Sequence, residues 1–153
     1  MSPSSSRLGL KILTLGVWLT VPTLGIAPVA RAEMPIGNYE VRIAGRYDFH
    51  TWVWVISSCS GGCVHVYAIA RPVAKGFDYE GDAPLVNGRY TLTVDVPDGL
   101  RCGDVYYGPT VPTHDTYSWD GTTLAGSLDS SFATGCGGAP AGTNTYPFTL
   151  SRM

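Results

Sequence analysis

The sequence predicts an all-β domain: a single antiparallel meander of roughly seven to nine strands that curls into a barrel or strongly curved sheet. Three observations carry this. Apolar residues alternate with a two-residue period after residue 32, and no stretch there sustains the 3.6-residue period of an amphipathic helix. Turn signals such as Asn87-Gly88 and Asp120-Gly121 separate the alternating runs. The 19 Gly and 11 Pro also argue against a helical bundle. A two-sheet β-sandwich is the alternative arrangement of the same strands.

The elements follow in order. Residues 37–43 put Tyr39, Val41 and Ile43 on one face. Residues 51–58 and 64–70 flank Ser60-Gly61-Gly62, a tight turn. With Cys59 opposite Cys63, Trp54 faces Ala68 and Ile56 faces Val66. One face of this hairpin then holds Trp52, Trp54, Ile56, Val64, Val66, Ala68 and Ala70, and is expected to be core. The other is mixed: Val53, Val55, Ser57, His65, Tyr67 and Ile69.

Asn87-Gly88 signals a type I′ turn, whose two central residues need positive φ. Leu85 then faces Tyr90. Phe77, Tyr79, Leu85, Tyr90, Leu92, Val94 and Val96 are expected on one face, and Asp78, Glu80, Asp82, Thr91, Thr93 and Asp95 on the other. Pro84 has no N–H to give a ladder, so its strand is expected to be an edge or to break there. A tight turn at Asp120-Gly121 would set Tyr117 opposite Leu124, with Trp119, Leu124 and Leu128 inside. Residues 135–142 read as a loop. Residues 146–152 form the last strand, with Tyr146, Phe148 and Leu150 on one face. Val105, Tyr106 and Tyr107 suggest a further short strand.

Residues 1–32 read as a secretory signal rather than as part of the fold. Arg7 and Lys11 precede an uncharged run over residues 12–30, and Ala30-Arg31-Ala32 supplies the small residues of a cleavage site before Glu33. An uncleaved anchor is the alternative, but Gly16, Pro22, Gly25 and Pro28 interrupt the run. No Cys follows it and no twin Arg precedes it, which points to the general secretory route and no stable membrane insertion after cleavage. Removing 32 of 153 residues leaves 121, a domain 33–153 in which 7 basic residues face 12 acidic ones, a net charge of −5. That balance excludes a nucleic-acid binder, which needs clustered Lys and Arg.

Cys59, Cys63, Cys102 and Cys136 all lie in the exported part, and an even count outside the cytosol reads as two disulfides. Of three connectivities, Cys59–Cys63 across the hairpin mouth and Cys102–Cys136 across a long stretch are expected. The Cys59-to-Cys63 spacing is not the redox CxxC motif, and no second close pair completes a zinc site.

The order of the pieces resembles a group of small exported mycobacterial proteins, largely uncharacterised. The pieces are Trp52-Val53-Trp54-Val55, Cys59, Gly62-Cys63-Val64, Asn87-Gly88-Arg89-Tyr90-Thr91-Leu92 and Cys102-Gly103-Asp104. Tyr117-Ser118-Trp119-Asp120, Leu124-Ala125-Gly126, Cys136-Gly137 and Phe148-Thr149-Leu150 follow. The resemblance implies export and a shared β fold. It transfers no catalytic residue.

Chemical motifs are sparse. There is no GxSxG, no P-loop and no HExxH. His50 shares a face with Asp48, His65 lies opposite Ser57, and His114 precedes Asp115 in an outward-pointing loop. Such dispersed histidines are usual on surfaces, so no catalytic, cofactor or metal role is assigned. Asp78, Glu80 and Asp82, with Asp95 across from Glu80, could offer oxygens to Ca²⁺. The spacing is not an EF-hand, because Ala83 stands where Gly is needed and Arg89 at the twelfth position. A solvated acidic face is expected instead. The Trp and Tyr content suits either a ligand cavity or a filled core, and filling is the default for a barrel of about eight strands.

The expected function is therefore a non-enzymatic exported domain of the cell envelope or its surroundings, acting by binding to an unknown partner. His50, His65, Tyr67, Trp52 and Trp54 are its candidate ligand or interaction residues. The alternatives are a small-ligand-binding barrel, or an envelope hydrolase using His50 and Asp48.

Overall fold

The structure is a computed structural model that describes residues 33–46, 51–71, 77–103 and 108–153. Residues 1–32, expected to be a secretory signal, the His50–Asp48 pair and the strand suggested around Tyr106 lie outside the described residues. Eight strands follow one another around a closed antiparallel barrel. They are β1 Gly37–Ile43, β2 Thr51–Cys59, β3 Cys63–Arg71, β4 Tyr79–Val86, β5 Arg89–Arg101, β6 Thr110–Asp120, β7 Ala125–Phe132 and β8 Gly142–Arg152. β1 pairs with β8, so the sheet closes and neither the open curled sheet nor the sandwich forms.

Hairpin chemistry set most of the register. Cys59 pairs with Cys63, Trp54 with Ala68 and Ile56 with Val66, and the two cysteines are joined by a disulfide. Asn87 (φ 53°) and Gly88 (φ 81°) take the left-handed conformations of a type I′ turn and pair Val86 with Arg89 and Leu85 with Tyr90.

Other expectations are corrected. β4 is no edge, because it pairs with β3 as well as β5. Leu85 donates its N–H sideways to Gly62. The preceding residue, Pro84, would direct its missing donor the other way, toward β5. β4 pairs with β5 only past Pro84, at Leu85 and Val86, so Pro84 interrupts that ladder, as expected of a break, but does not mark an open edge. Phe77, expected inside, precedes β4 and is exposed. Val53, on the mixed outer face, is buried.

The β6–β7 turn is longer than its Asp-Gly pair suggests. Asp120 accepts the N–H groups of Thr122 and Thr123 on its carboxylate, at 2.9 and 2.8 Å, and that of Leu124 on its carbonyl. The N–H groups of Thr123 and Thr122 hold its carboxyl below the usual value of 3.8. Leu124 turns the chain in the left-handed region (φ 59°). Tyr117 consequently faces Leu128, not Leu124, and Trp119 faces Gly126. The slip of four residues is even, so the buried faces survive it. Gly126 is obligatory in this register. A Cβ there would collide with the Ser118 carbonyl oxygen and stand 2.8 Å from Trp119 Cβ.

Among the described residues, large side chains fill the interior nearer the hairpin turns. Trp54, Trp119, Tyr39, Tyr90, Tyr117, Leu92, Leu128 and Val66 are completely buried. Trp54 packs against Tyr117, Trp119 and Phe148 with ring centroids 5.1, 5.2 and 5.8 Å away. Small residues opposite the rings (Ala68 across from Trp54, Ala70 from Trp52, Gly126 from Trp119) make room for them.

One end of the barrel carries the three tight turns and is closed by the chain before β1. Met34 is buried, its N–H meets Tyr90 Oη at 3.3 Å, and its sulfur accepts Trp119 Nε1–H at 3.3 Å. Met34→Ala should therefore lower stability by about 2 kcal/mol or more. The midpoint of urea unfolding checks this. The opposite end carries the connections β1–β2, β3–β4, β5–β6 and β7–β8.

Candidate functional site

Of the sequence-predicted site residues, His50 lies outside the described ones, and Trp52, Trp54, His65 and Tyr67 divide between the core and the outer wall. Trp52 and Trp54 are core residues. Trp54 Nε1 donates to Tyr79 Oη and Tyr79 Oη to Tyr117 Oη, both at 3.0 Å. Burial holds the Tyr79 phenol well above its usual 10.0, reinforced by Tyr117. Because the folded state keeps this proton more tightly, the corresponding stability is complete below pH 10.0 and is lost as pH rises past it. Alkaline unfolding followed by tryptophan fluorescence should show this loss, and Tyr79→Phe should flatten its slope.

His65 and Tyr67 lie on the outer wall. His65 Nδ1 is 2.7 Å from Asp82, and Tyr67 Oη donates to Asp78 at 3.0 Å. That bond to Asp78 raises the Tyr67 phenol above its usual value. The acidic face is thus already engaged: Asp78 also accepts the Ala70 N–H, and Asp95 meets His114. Among the described residues, no group of three or more His, Cys, Asp or Glu is arranged to hold a metal.

Two features escaped the sequence reading. The first is a buried polar cluster toward the end opposite the tight turns. Asp115, completely buried, accepts Ser130 Oγ–H at 2.6 Å and Arg46 Nη1–H at 3.3 Å. Arg46 also donates to the Gly99 carbonyl at 2.6 Å. Thr113 Oγ1 is buried beside them without a protein partner, wedged so close to Gly99 that a Cβ there would collide with it. The alternation of Thr113, Asp115, Tyr117 and Trp119 on one face of β6 was the available signal.

The second is on the outer wall. His114 is not in a loop but within β6. Its cross-strand partners are Asp95 on β5 and Ser131 on β7, so the three form one row over three strands. Asp95 Oδ1 lies 2.7 Å from His114 Nδ1, and Ser131 Oγ donates to the His114 carbonyl at 3.0 Å. A carboxylate only accepts, so the contact assigns the donor role to Nδ1 and leaves Nε2 on the far side of the ring from Asp95. The row lines a cleft of about 410 Å³ whose apolar walls are Val96, Pro97, Pro112, Phe132 and Ala133.

The long disulfide supports this wall. Cys102 follows β5 and Cys136 lies in the β7–β8 connection, so the bond spans β6 and clamps the three strands that carry the cleft. A Cβ at Gly135 or Gly142 would stand 3.1 or 3.0 Å from the Phe132 ring, so these glycines leave room for the ring at the cleft wall.

Comparisons with protein-family models, curated proteins and solved structures return no match.

Proposed function

We propose that this chain is an exported domain of the cell envelope or its surroundings that acts by binding at its outer wall, with the β5–β6–β7 cleft as its contact site. One observation carries the reading: among the described residues, rings fill the half of the barrel nearer the tight turns, and the Asp95–His114–Ser131 row lies on the outer wall beside a cleft of about 410 Å³. Two disulfides fit an oxidising compartment, and the signal-like first 32 residues fit export. Among the described residues, no helix is long and apolar enough to cross a membrane.

Native mass spectrometry of protein exported from its own host tests the reading. The expected species is the oxidised chain beginning at Glu33, without a retained small molecule. A ligand that leaves only on unfolding would move the function inside the barrel and overturn the proposal. In parallel, a phenol titration followed by amide NMR should shift Val96, Thr113 and Phe132 first. Shifts concentrated elsewhere would reject the cleft.

A further inference from the structure

We propose that the outer cleft is also a hydrolytic site for esters of short acyl chains, with Ser131 as nucleophile, His114 as its base and Asp95 orienting the imidazole. The inference rests on the reading of this cleft as a binding site and adds chemistry to it.

The register is the first argument. Directly paired residues on one face of a ladder hold their Cβ atoms about 4.5–5.5 Å apart. Asp95 and Ser131 therefore flank His114 from opposite sides. With Nδ1 held by Asp95 on the β5 side, Nε2 lies on the opposite edge of the ring, away from β5. Ser131 is the cross-strand partner of His114, its Oγ donates to the His114 carbonyl at 3.0 Å, and the side chain has two other staggered positions open to it in the reaction we propose. The second argument is the cleft itself. Its apolar walls, Pro97, Pro112, Phe132 and Ala133, adjoin the row and suit an acyl chain.

The barrel holds an internal contrast. Ser57, His65 and Asp82 form a second cross-strand row of the same three residue types. There His65 Nε2 faces Glu80 at 3.8 Å, while Nδ1 faces Asp82. A carboxylate thus stands beside each ring nitrogen of His65, whereas the contact recorded for the His114 ring is to Asp95 at Nδ1. The second row is the control for the first.

In the first half-reaction, Ser131 Oγ attacks the ester carbonyl carbon and its proton passes to His114 Nε2. The carbon–oxygen bond to the alcohol breaks, and the alcohol leaves with the proton from Nε2. Water then repeats the sequence on the acyl-serine, releasing the carboxylic acid and restoring the Ser131 hydroxyl.

The test uses the oxidised mature protein with a fluorophosphonate and with 4-nitrophenyl butyrate. Peptide mapping should place the phosphonyl group on Ser131, and Ser131→Ala should abolish it. His114→Gln should slow both labelling and 4-nitrophenol release about 100-fold or more. Ser57→Ala and His65→Gln should leave both unchanged. These positions are on the outer wall, so circular dichroism should show every variant folded. Labelling that is absent, spread over several serines, or unaffected by His114→Gln overturns the proposal. If butyrate esters shift the Phe132 amide without turnover, the binding reading stands and the hydrolytic one falls. If neither occurs, both fall.

Discussion

Asp115→Ala is expected to destabilise the barrel by about 3–5 kcal/mol, the cost of breaking a buried ion pair from one side. The carboxylate is fully buried and the Arg46 guanidinium nearly so, with 8% of its side chain exposed. Removing the carboxylate takes this buried ion pair from Arg46 and the acceptor from the Ser130 hydroxyl. The Gly99 carbonyl still holds Arg46 in place, so the charge cannot easily swing out to water. The double variant Arg46→Met, Asp115→Leu removes both charges and should recover much of the loss, since apolar side chains of similar volume can replace a buried pair at little cost. Urea unfolding of wild type, single and double variants measures this. A single-variant loss below about 1 kcal/mol would mean that the pair is solvated like a surface bridge.

The pair also locates a division within the barrel. On β6, inward positions pass from Trp119 and Tyr117 to Asp115 and Thr113. The half nearer the tight turns is closed by Met34 and packed with rings. The other half is held by hydrogen bonds that reach from the β1–β2 connection, through Arg46, to β5 and β6. Loosening that latch should affect the loop end first and leave the aromatic packing around Trp54 intact.

Sequence patterning and turn chemistry made the wall of the barrel legible. The Cys59–Cys63 and Asn87-Gly88 turns set their hairpins because each loop length admits one register. Asp120-Gly121 misled because the Asp120 carboxylate can collect N–H groups two and three residues on, which supports a longer turn as readily as a short one. Closure was legible only as a tendency, since nothing in residues 37–43 or 146–152 names the other as partner. The site was hidden for a related reason. Asp95, His114 and Ser131 lie far apart in the chain, and only the register of β5, β6 and β7 brings them into one row. Reading His114-Asp115 as a loop also concealed that one of these side chains faces water and the other the core.

Removing Cys102–Cys136 by a double alanine substitution is expected to cost about 4 kcal/mol in the loop-entropy model, because its cysteines are 34 residues apart. Cys59–Cys63, with a separation of 4, should contribute only about 2 kcal/mol by the same relation. Its cysteines are already paired by the hairpin ladder, so the smaller value is an upper bound. The two staples should differ in place as well as size. Loss of the short one affects a turn at the end closed by Met34. Loss of the long one unties β5 from the β7–β8 connection, and with it the wall that bears Phe132 and the Asp95–His114–Ser131 row. Urea midpoints measure the stabilities, and amide hydrogen exchange measures the location. Exchange should accelerate in β5, β6 and β7 in the long-staple variant under conditions where β2 and β3 remain protected. Equal acceleration around the whole barrel would show that the long disulfide stabilises only the global fold and does not hold the cleft.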